Sequence, residues 1–158
     1  MAKILLLFIV GFYIDKIDAA IPCRSGWLSH ANSCYFFSRD TQTWILAKMY
    51  CEAFRGHLVE IETVFENSFI QHQINNLNKS FWIGASDVEV EGEWRWVGTD
   101  TTMSFTHWRL NEPDSYDPEH ENCVDIKAAP VEGWNDENCN AQSNYICEAT
   151  EDTEFVVG

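Results

Sequence analysis

Basic residues are scarce in this chain. Ten lysines and arginines stand against 25 aspartates and glutamates, which gives a formal net charge of -15 at pH 7. An acidic surface repels nucleic-acid phosphates and anionic membranes, so we expect no nucleic-acid partner. The same charge favours cations, although keeping the protein soluble is a sufficient role for most of these carboxylates.

Signatures of catalysis and of membrane insertion are also missing. The chain contains no Gly-x-Ser-x-Gly, no His-Glu-x-x-His and no phosphate-binding loop. It has no Cys-x-x-Cys either, which argues against a zinc site. The one long apolar run, residues 4–14, is too short to span a bilayer. We therefore predict that the protein is not an enzyme and does not insert into membranes.

The N-terminal segment predicts export. Residues 1–20 combine Lys3, the apolar run and the small pair Ala19-Ala20, which is the pattern of a signal peptide. A buried N-terminal helix is the alternative, but nothing caps such a helix. We predict a secreted, extracellular protein with one domain over residues 21–150 and an acidic flexible tail over residues 151–158. Six cysteines follow the predicted signal peptide, which indicates three disulfides.

Hydrophobic periodicity predicts two helices followed by strands. Apolar residues recur at helical spacing over residues 43–54, and Gly56 supplies a stop. Thr63 opens a capping box for a second helix that extends to about Leu77. The residues predicted on its buried side are Phe65, Phe69, Ile70 and Ile74. From Phe81 onward short extended segments alternate with turns, so we predict an α+β fold with short antiparallel sheets.

The second half of the chain concentrates carboxylate and amide oxygens in three motifs: Glu112-Pro113-Asp114, Glu121-Asn122-Cys123 and Trp134-Asn135-Asp136. Such hard oxygen ligands suit calcium, which takes roughly six to eight of them. Each motif alone has a simpler explanation, since Glu-Pro-Asp is a common turn and Trp134 suits a core or a loop anchor. A disulfide between Cys123 and Cys139 would bring the last two motifs together.

Crowded carboxylates require a counter-ion. The side chains of Glu112, Asp114, Glu121 and Asp136 would raise one another's pKa values, and a divalent cation would neutralise half of their charge. Neighbouring sugar hydroxyls suit such a site, because each gives a lone pair to the cation, donates to a carboxylate and accepts from an amide such as that of Asn135. We therefore predict a Ca²⁺ site that recognises sugar diols.

Residues 23–148 resemble C-type lectin-like domains, whose motifs appear here in the family's order. The matching segments are Trp44-Ile45-Leu46-Ala47 with Cys51, Gly56-His57-Leu58-Val59, Trp82-Ile83-Gly84, Trp94-Arg95-Trp96, Glu112-Pro113-Asp114, Trp134-Asn135-Asp136 and Cys147. The resemblance implies a C-type lectin-like fold with a long calcium-binding loop region. The disulfides that it implies are Cys51–Cys147, Cys123–Cys139 and, in the long form with an N-terminal hairpin, Cys23–Cys34. No cysteine then remains for an interchain bond, so a homo-oligomer would be non-covalent.

The resemblance also implies a set of ligands. Carried over position by position, the family's sugar-binding calcium site falls on Glu112, Asp114, Glu121, Asn135 and Asp136. A cis peptide bond is implied between Glu112 and Pro113. A second calcium site of some members would use Asp87, Glu91, Glu121 and Asn122. Ser115 and Asn122 replace aspartates there, which weakens such a site by charge and by ligand count.

The central motif departs from the family's two common versions. A Glu-Pro-Asn motif would resemble that of the family's mannose-type binders, and Gln-Pro-Asp that of its galactose-type binders. In this chain both residues that flank the proline are carboxylates, which only accept hydrogen bonds. Asn135 is then the remaining amide donor, and selection between equatorial and axial 4-hydroxyls should be blurred. Tyr116 has two interpretations, as a ring that stacks on a galactose-like sugar or as an anchor of its loop.

The predicted function is that of a lectin that recognises glycans or pathogens in innate immunity. Three other functions compete with it. A glycosidase would use two of these carboxylates, but its general acid needs an apolar pocket that raises its pKa. A calcium or mineral-surface-binding structural protein of biomineralisation type would also use a charge of -15. A lectin-like domain that binds protein without calcium is disfavoured because all five ligand positions carry oxygen. Asn78 is a candidate N-glycosylation site.

Overall fold

The structure is a computed structural model that describes residues 23–114 and 121–150. The predicted signal peptide at 1–20 and the predicted tail at 151–158 lie outside the described residues. The elements in chain order are β1 (Leu28–His30), β2 (Ser33–Phe37), α1 (Trp44–Ala53), β3 (His57–Leu58), α2 (Val64–Leu77), β4 (Phe81–Ser86), β5 (Arg95–Trp96), β6 (Thr101–Thr102), β7 (Cys123–Lys127), β8 (Gly133–Glu137) and β9 (Asn144–Thr150). Within the described ranges, neither helix has the length and apolar character needed to cross a bilayer.

Both predicted helices are confirmed, with ends within a residue of the expected ones. The side chain of Thr63 accepts a hydrogen bond from the backbone N–H of Glu66 at 3.2 Å, which satisfies a donor that the start of α2 would otherwise leave without a partner. At the other end Asn78 adopts a left-handed conformation with φ of 51°. Its side chain is exposed, which leaves the candidate glycosylation site accessible. Whether it carries a glycan stays a prediction.

The predicted buried side of α2 was wrong at Phe65, which is 80% exposed. The buried positions of this helix are Asn67, Ile70, Gln71 and Ile74. Phe65 precedes Asn67 by two positions, which places it about 200° away around the helix. An apolar residue in the first turn therefore does not have to belong to the core-facing stripe.

Strand β4 is buried along its whole length and lies at the centre of the fold. It pairs antiparallel with β5 and β7 and parallel with β9. The strand path runs β1-β2-β9-β4-β5-β6, β3 joins β9, and β8 joins β7. The α+β class and the N-terminal hairpin β1–β2 are confirmed, whereas the parallel contact between β4 and β9 and the strand β8 were not predicted.

The core combines large aromatic rings with isoleucine and valine side chains. Trp82, Trp96 and Trp134 are at most 1% exposed. Buried indole N–H groups need acceptors, and that of Trp134 donates to Asn67 Oδ1 at 2.9 Å. Gly84 has no side chain because the backbone of Leu58 passes close to it. A Cβ at position 84 would lie 2.7 Å from the carbonyl oxygen of Leu58.

Three disulfides connect the elements: Cys23–Cys34, Cys51–Cys147 and Cys123–Cys139. These are the pairs that the family resemblance implied. The second bond joins α1 to β9 across 96 positions of sequence, and the third joins the start of β7 to the residues that follow β8. The β7–β8 hairpin, which carries two of the three carboxylate motifs, is thus covalently closed.

Candidate metal centre

The segment before the Glu-Pro-Asp motif lies against the free edge of β8. The backbone N–H of Trp134 donates to the carbonyl of His107, and the N–H of Arg109 donates to the carbonyl of Trp134, both at 2.9 Å. Gly133 permits this approach, because a Cβ there would lie 3.0 Å from the backbone of Arg109. These contacts place residues 112–114 beside the end of β8.

Three carboxylates converge as a result. Glu112, Asp114 and Asp136 each offer an oxygen, and these oxygens all lie within 4.8 Å of one another. We call these three residues the carboxylate cluster. Asp136 is buried, Glu112 is half-buried and Asp114 is exposed, so the cluster opens to solvent on one side. The peptide bond between Glu112 and Pro113 is cis, as the family resemblance implied.

Arg109 partly balances the charge of the carboxylate cluster. Its Nε and Nη2 donate to Oε1 of Glu112 at 2.9 and 2.6 Å. Burial raises the pKa of Glu112 above its ordinary value, the hydrogen bonds from Arg109 oppose this rise, and Asp136 and Asp114 add to it. Three carboxylates and one guanidinium leave two negative charges, which is the charge that one divalent cation neutralises.

The cluster fits calcium in size and in chemistry. Calcium binds oxygen at roughly 2.3–2.6 Å, so two ligand oxygens on opposite sides of one ion lie up to about 5 Å apart. The separations within the carboxylate cluster stay inside that limit. Its ligands are all carboxylates, which suit a hard cation better than zinc, for which histidine and cysteine are the usual ligands.

Comparison with known proteins decides the family. Residues 40–149 match the family described as Lectin C-type domain. This chain belongs to the C-type lectin domain family. A "Perlucin-like protein" of Mytilus galloprovincialis is 36% identical over 152 residues, which cover 91% of this chain and 95% of that protein. A "Hepatic lectin" of Gallus gallus is 37% identical over 140 residues, which cover 86% of this chain and 65% of that protein.

Solved structures agree with this family. The human scavenger receptor C-type lectin carbohydrate-recognition domain superimposes with a TM-score of 0.76 at 33% identity, covering 82% of this chain and 99% of that one. The carbohydrate-recognition domain of cow CD23, determined in the presence of a GlcNAc2Man3 oligosaccharide, gives 0.74 at 28% identity and covers 82% and 96%. A calcium-independent type II antifreeze protein gives 0.73 at 27% identity and covers 84% and 98%. C-type lectin domains generally bind Ca²⁺ and are binding proteins rather than enzymes, and these relatives support a carbohydrate-binding lectin.

The two remaining predicted ligands of this C-type lectin domain are placed differently. Glu121 is half-buried and is not one of the clustered carboxylates among the described residues. Asn135 precedes Asp136 and is 5% exposed. Its Nδ2 donates to the carbonyl of Asp136 at 2.7 Å and approaches Oδ1 of Asp125 at 3.4 Å. A hydrogen bond from this nitrogen to a sugar would replace one of these contacts. Tyr116 lies outside the described residues, so its role stays a prediction.

The predicted second calcium set does not form a second group of three converging carboxylates within residues 23–114 and 121–150. Asp87 is 2% exposed, and burial raises its pKa. Its Oδ2 accepts the N–H of Gly92 at 2.8 Å, whereas Oδ1 has no hydrogen-bond partner in the described structure. Glu91 is exposed, and the backbone carbonyl of Asn122 accepts from Ser86. A second ion at this place stays a prediction.

Proposed function

We propose that this chain is a secreted, calcium-dependent lectin that binds a sugar diol through Glu112, Asp114, Glu121, Asn135 and Asp136. The observation that carries the proposal is the carboxylate cluster, which opens to solvent and has the charge and spacing that calcium requires. The relatives that are lectins, and the CD23 domain determined with an oligosaccharide, support a glycan as the ligand.

The residues of the site would divide the recognition of the diol between them. A bound calcium ion supplies the attraction for the lone pairs of two hydroxyls. The carboxylates of Glu112 and Asp114 accept hydrogen bonds from the hydroxyl protons, because an ionised carboxylate offers acceptors only. Arg109 donates two hydrogen bonds to Oε1 of Glu112 and so fixes that side chain within the carboxylate cluster. Since both flanking residues are acceptors, we expect mannose-type and galactose-type diols to compete for the site.

A groove beside the carboxylate cluster has room for more than the diol. Its volume is about 570 Å³, which lies within the range of small-molecule sites. It runs between residues 109–114 and the β7–β8 turn at 129–132. The ligand is therefore expected to extend from the diol into this groove.

A glycan array probed with calcium and with a chelator tests the proposal. We expect glycan binding in calcium, none in chelator, and none for Asp136→Asn in either condition. Glu52→Gln is the matched control, because it removes one carboxylate from the exposed face of α1, where Glu52 pairs with Lys48. Binding that persists in chelator, or that Asp136→Asn retains in full, would refute a calcium-dependent site.

Adsorption to a calcium-bearing mineral or another crystalline surface is the second candidate function. The net charge of -15 favours it, and the antifreeze protein that shares this fold offers a precedent for surface binding. Elution from a polysaccharide column separates the two functions. A lectin is released by free sugar and by chelator, whereas a protein that adsorbs to surfaces responds to neither.

Export and a role in innate immunity are parts of the same proposal. Expression of the full chain in a eukaryotic cell should release the protein into the medium, with cleavage after Ala20. N-terminal sequencing of the released protein measures this directly. Calcium-dependent binding to whole microbial cells, with competition by the sugar found on the array, tests the role in pathogen recognition.

A further inference from the structure

The groove beside the carboxylate cluster has two walls that come from different parts of the chain. One wall is the segment 109–114, which carries the Glu-Pro-Asp motif, and the other is the turn 129–132 between β7 and β8. The first wall is fixed to β8 by the hydrogen bond from the backbone N–H of Arg109 to the carbonyl of Trp134. The turn contributes no residue to the carboxylate cluster, so contacts outside the cluster have to position it.

Helix α2 supplies such contacts through the side chain of Asn75. Its Oδ1 accepts a hydrogen bond from the backbone N–H of Ala129 at 2.9 Å, and its Nδ2 donates to Oε1 of Glu132 at 2.6 Å. Ala129 and Glu132 are the first and last residues of the turn. One amide therefore holds both ends of this wall, with its acceptor at one end and its donor at the other.

Gln71, one helical turn before Asn75, completes the attachment. Its Nε2 donates to Oδ1 of Asn75 at 3.0 Å and to the carbonyl of Lys127, the last residue of β7, at 2.9 Å. Positions four apart lie on the same side of a helix, so both amides reach the end of the β7–β8 hairpin. Because Gln71 and the N–H of Ala129 both donate, the oxygen of Asn75 faces them and its nitrogen is left for Glu132.

The groove offers apolar surface on both walls. Leu110 on one wall is 87% exposed, and Val131 on the other is 53% exposed. The charged residue of the turn is Glu132, so an anionic group would be repelled at that wall. A neutral ring with an apolar face suits such a groove, because covering these side chains removes apolar surface from water.

We infer that Asn75 is a positioning residue that holds the turn 129–132 at a fixed distance from the opposite wall, and that it thereby sets the affinity for a neutral ring attached to the calcium-bound sugar. The inference rests on the proposed function and deepens it, since it assigns selectivity for the rest of the ligand to α2. A wall that is already ordered costs less affinity when a ligand covers it. Without Asn75 only ligands that reach the turn should bind more weakly.

Isothermal titration calorimetry in saturating calcium, with methyl and p-nitrophenyl glycosides of mannose and galactose in both anomeric forms, tests the inference. The methyl glycosides present the diol alone, whereas the p-nitrophenyl glycosides add a neutral ring. For at least one sugar we expect the p-nitrophenyl glycoside to bind the wild type about 5-fold more tightly than the methyl glycoside. Asn75→Ala should reduce this gain by about 3-fold or more, since two hydrogen bonds to the turn are lost. Its affinities for calcium alone and for the methyl glycosides should stay within about twofold of the wild type.

Asn76→Ala is the matched control, because it removes the same side chain from the next position of α2. The amide of Asn76 contacts the ring of His72 at 3.2 Å, on the helix itself. The gain from the neutral ring should be the same in this variant as in the wild type. Thermal unfolding in chelator establishes that every variant is folded.

A rescue experiment separates positioning of the turn from a contribution to stability alone. Asn75→Asp places a carboxylate opposite that of Glu132 and should lose the gain as Asn75→Ala does. Adding Glu132→Gln should restore the gain, because the new amide donates to the new carboxylate across the same contact. A side chain that served only the stability of α2 would not be rescued in this way.

The outcomes distinguish the inference from the proposed function. If the wild type binds neither calcium nor the methyl glycosides, the proposed function fails and the inference fails with it. If the wild type binds both, but no p-nitrophenyl glycoside binds more tightly or Asn75→Ala keeps the full gain, only the inference is overturned. A loss that Asn76→Ala shares, or that the second substitution does not reverse, would also overturn it.

Discussion

Replacing Asp136 by asparagine should change the stability of the protein in opposite directions with and without calcium. In chelator, Asp136 faces the carboxylates of Glu112 and Asp114 at distances of up to 4.8 Å. Two unit charges at that distance repel by about 3 kcal/mol at an effective dielectric constant of 20. Arg109 and the solvent around the exposed Asp114 offset part of this, so we expect removal of the charge to raise the free energy of unfolding by about 1–2 kcal/mol.

In calcium the sign reverses, because the same substitution removes a ligand. A ligand that binds the folded state alone stabilises it by about 2.7 kcal/mol when its concentration is 100 times its dissociation constant. A loss of affinity of about 100-fold or more removes about 2.3 kcal/mol or more of that stabilisation, which exceeds the gain of about 1–2 kcal/mol in chelator, so the variant should be less stable than the wild type in calcium. The hydrogen bond from the backbone N–H of Asp114 to Oδ1 of Asp136, at 3.3 Å, can be accepted equally by the oxygen of an asparagine, so the comparison isolates the charge.

Urea unfolding followed by tryptophan fluorescence, in calcium and in chelator, measures both changes. The dependence of the unfolding free energy on urea should stay the same, since the substitution does not alter the surface exposed on unfolding. Glu52→Gln, on an exposed face of α1, should shift stability equally in the two conditions. If Asp136→Asn also shifts it equally, the carboxylate cluster does not hold a cation and the reasoning is refuted.

Three further predictions concern the fold around the site. Replacing both Cys51 and Cys147 by alanine opens a loop of 96 positions, and the urea midpoint should fall by the equivalent of about 4–5 kcal/mol. Burial raises the pKa of Asp125 from 3.8 to about 6 against the opposing charge of Lys127. Because the folded-state pKa is the higher one, Asp125 contributes stability below pH about 4 that is lost as the pH rises through 6, about 3 kcal/mol in all. The pH profile of the urea midpoint in chelator should show this loss, and Asp125→Asn should flatten it. Trp134→Phe leaves Oδ1 of Asn67 without its donor and opens a cavity, so the thermal midpoint should fall by the equivalent of about 2–4 kcal/mol.

Elements with a clear hydrophobic period were predictable from the sequence, and those without one were not. Both helices were placed within a residue because their apolar spacing and the cap at Thr63 agree. Strand β8 was missed because Asn135 and Asp136 are polar yet buried, which breaks the alternation that identifies a strand. Phe65 was misplaced because hydrophobicity alone does not tell which side of a helix faces the core.

The candidate site was predictable to the extent that its chemistry lies in short motifs. Glu112, Asp114 and Asp136 are recognisable in sequence, and the structure brings them together. Arg109 and Asp125 were missed, because a charged residue near such a motif is common and its contacts depend on how two strands pair. The available signal is the spacing of three residues, which suits the two ends of a tight turn: the backbone N–H of Glu112 donates to the carbonyl of Arg109 at 3.1 Å.

The ion pair between Arg109 and Glu112 links the Glu-Pro-Asp motif to the segment that precedes it. The guanidinium of Arg109 holds Glu112, and the backbone N–H of Arg109 donates to the carbonyl of Trp134 in β8, so the motif is joined to the edge of β8 without the help of an ion. Less chain has to be ordered when calcium arrives, and a preorganised site loses less affinity to that ordering. Under the proposed function, a fall in calcium concentration would then release the ion and the bound glycan reversibly, without refolding of the segment that carries Glu112 and Asp114.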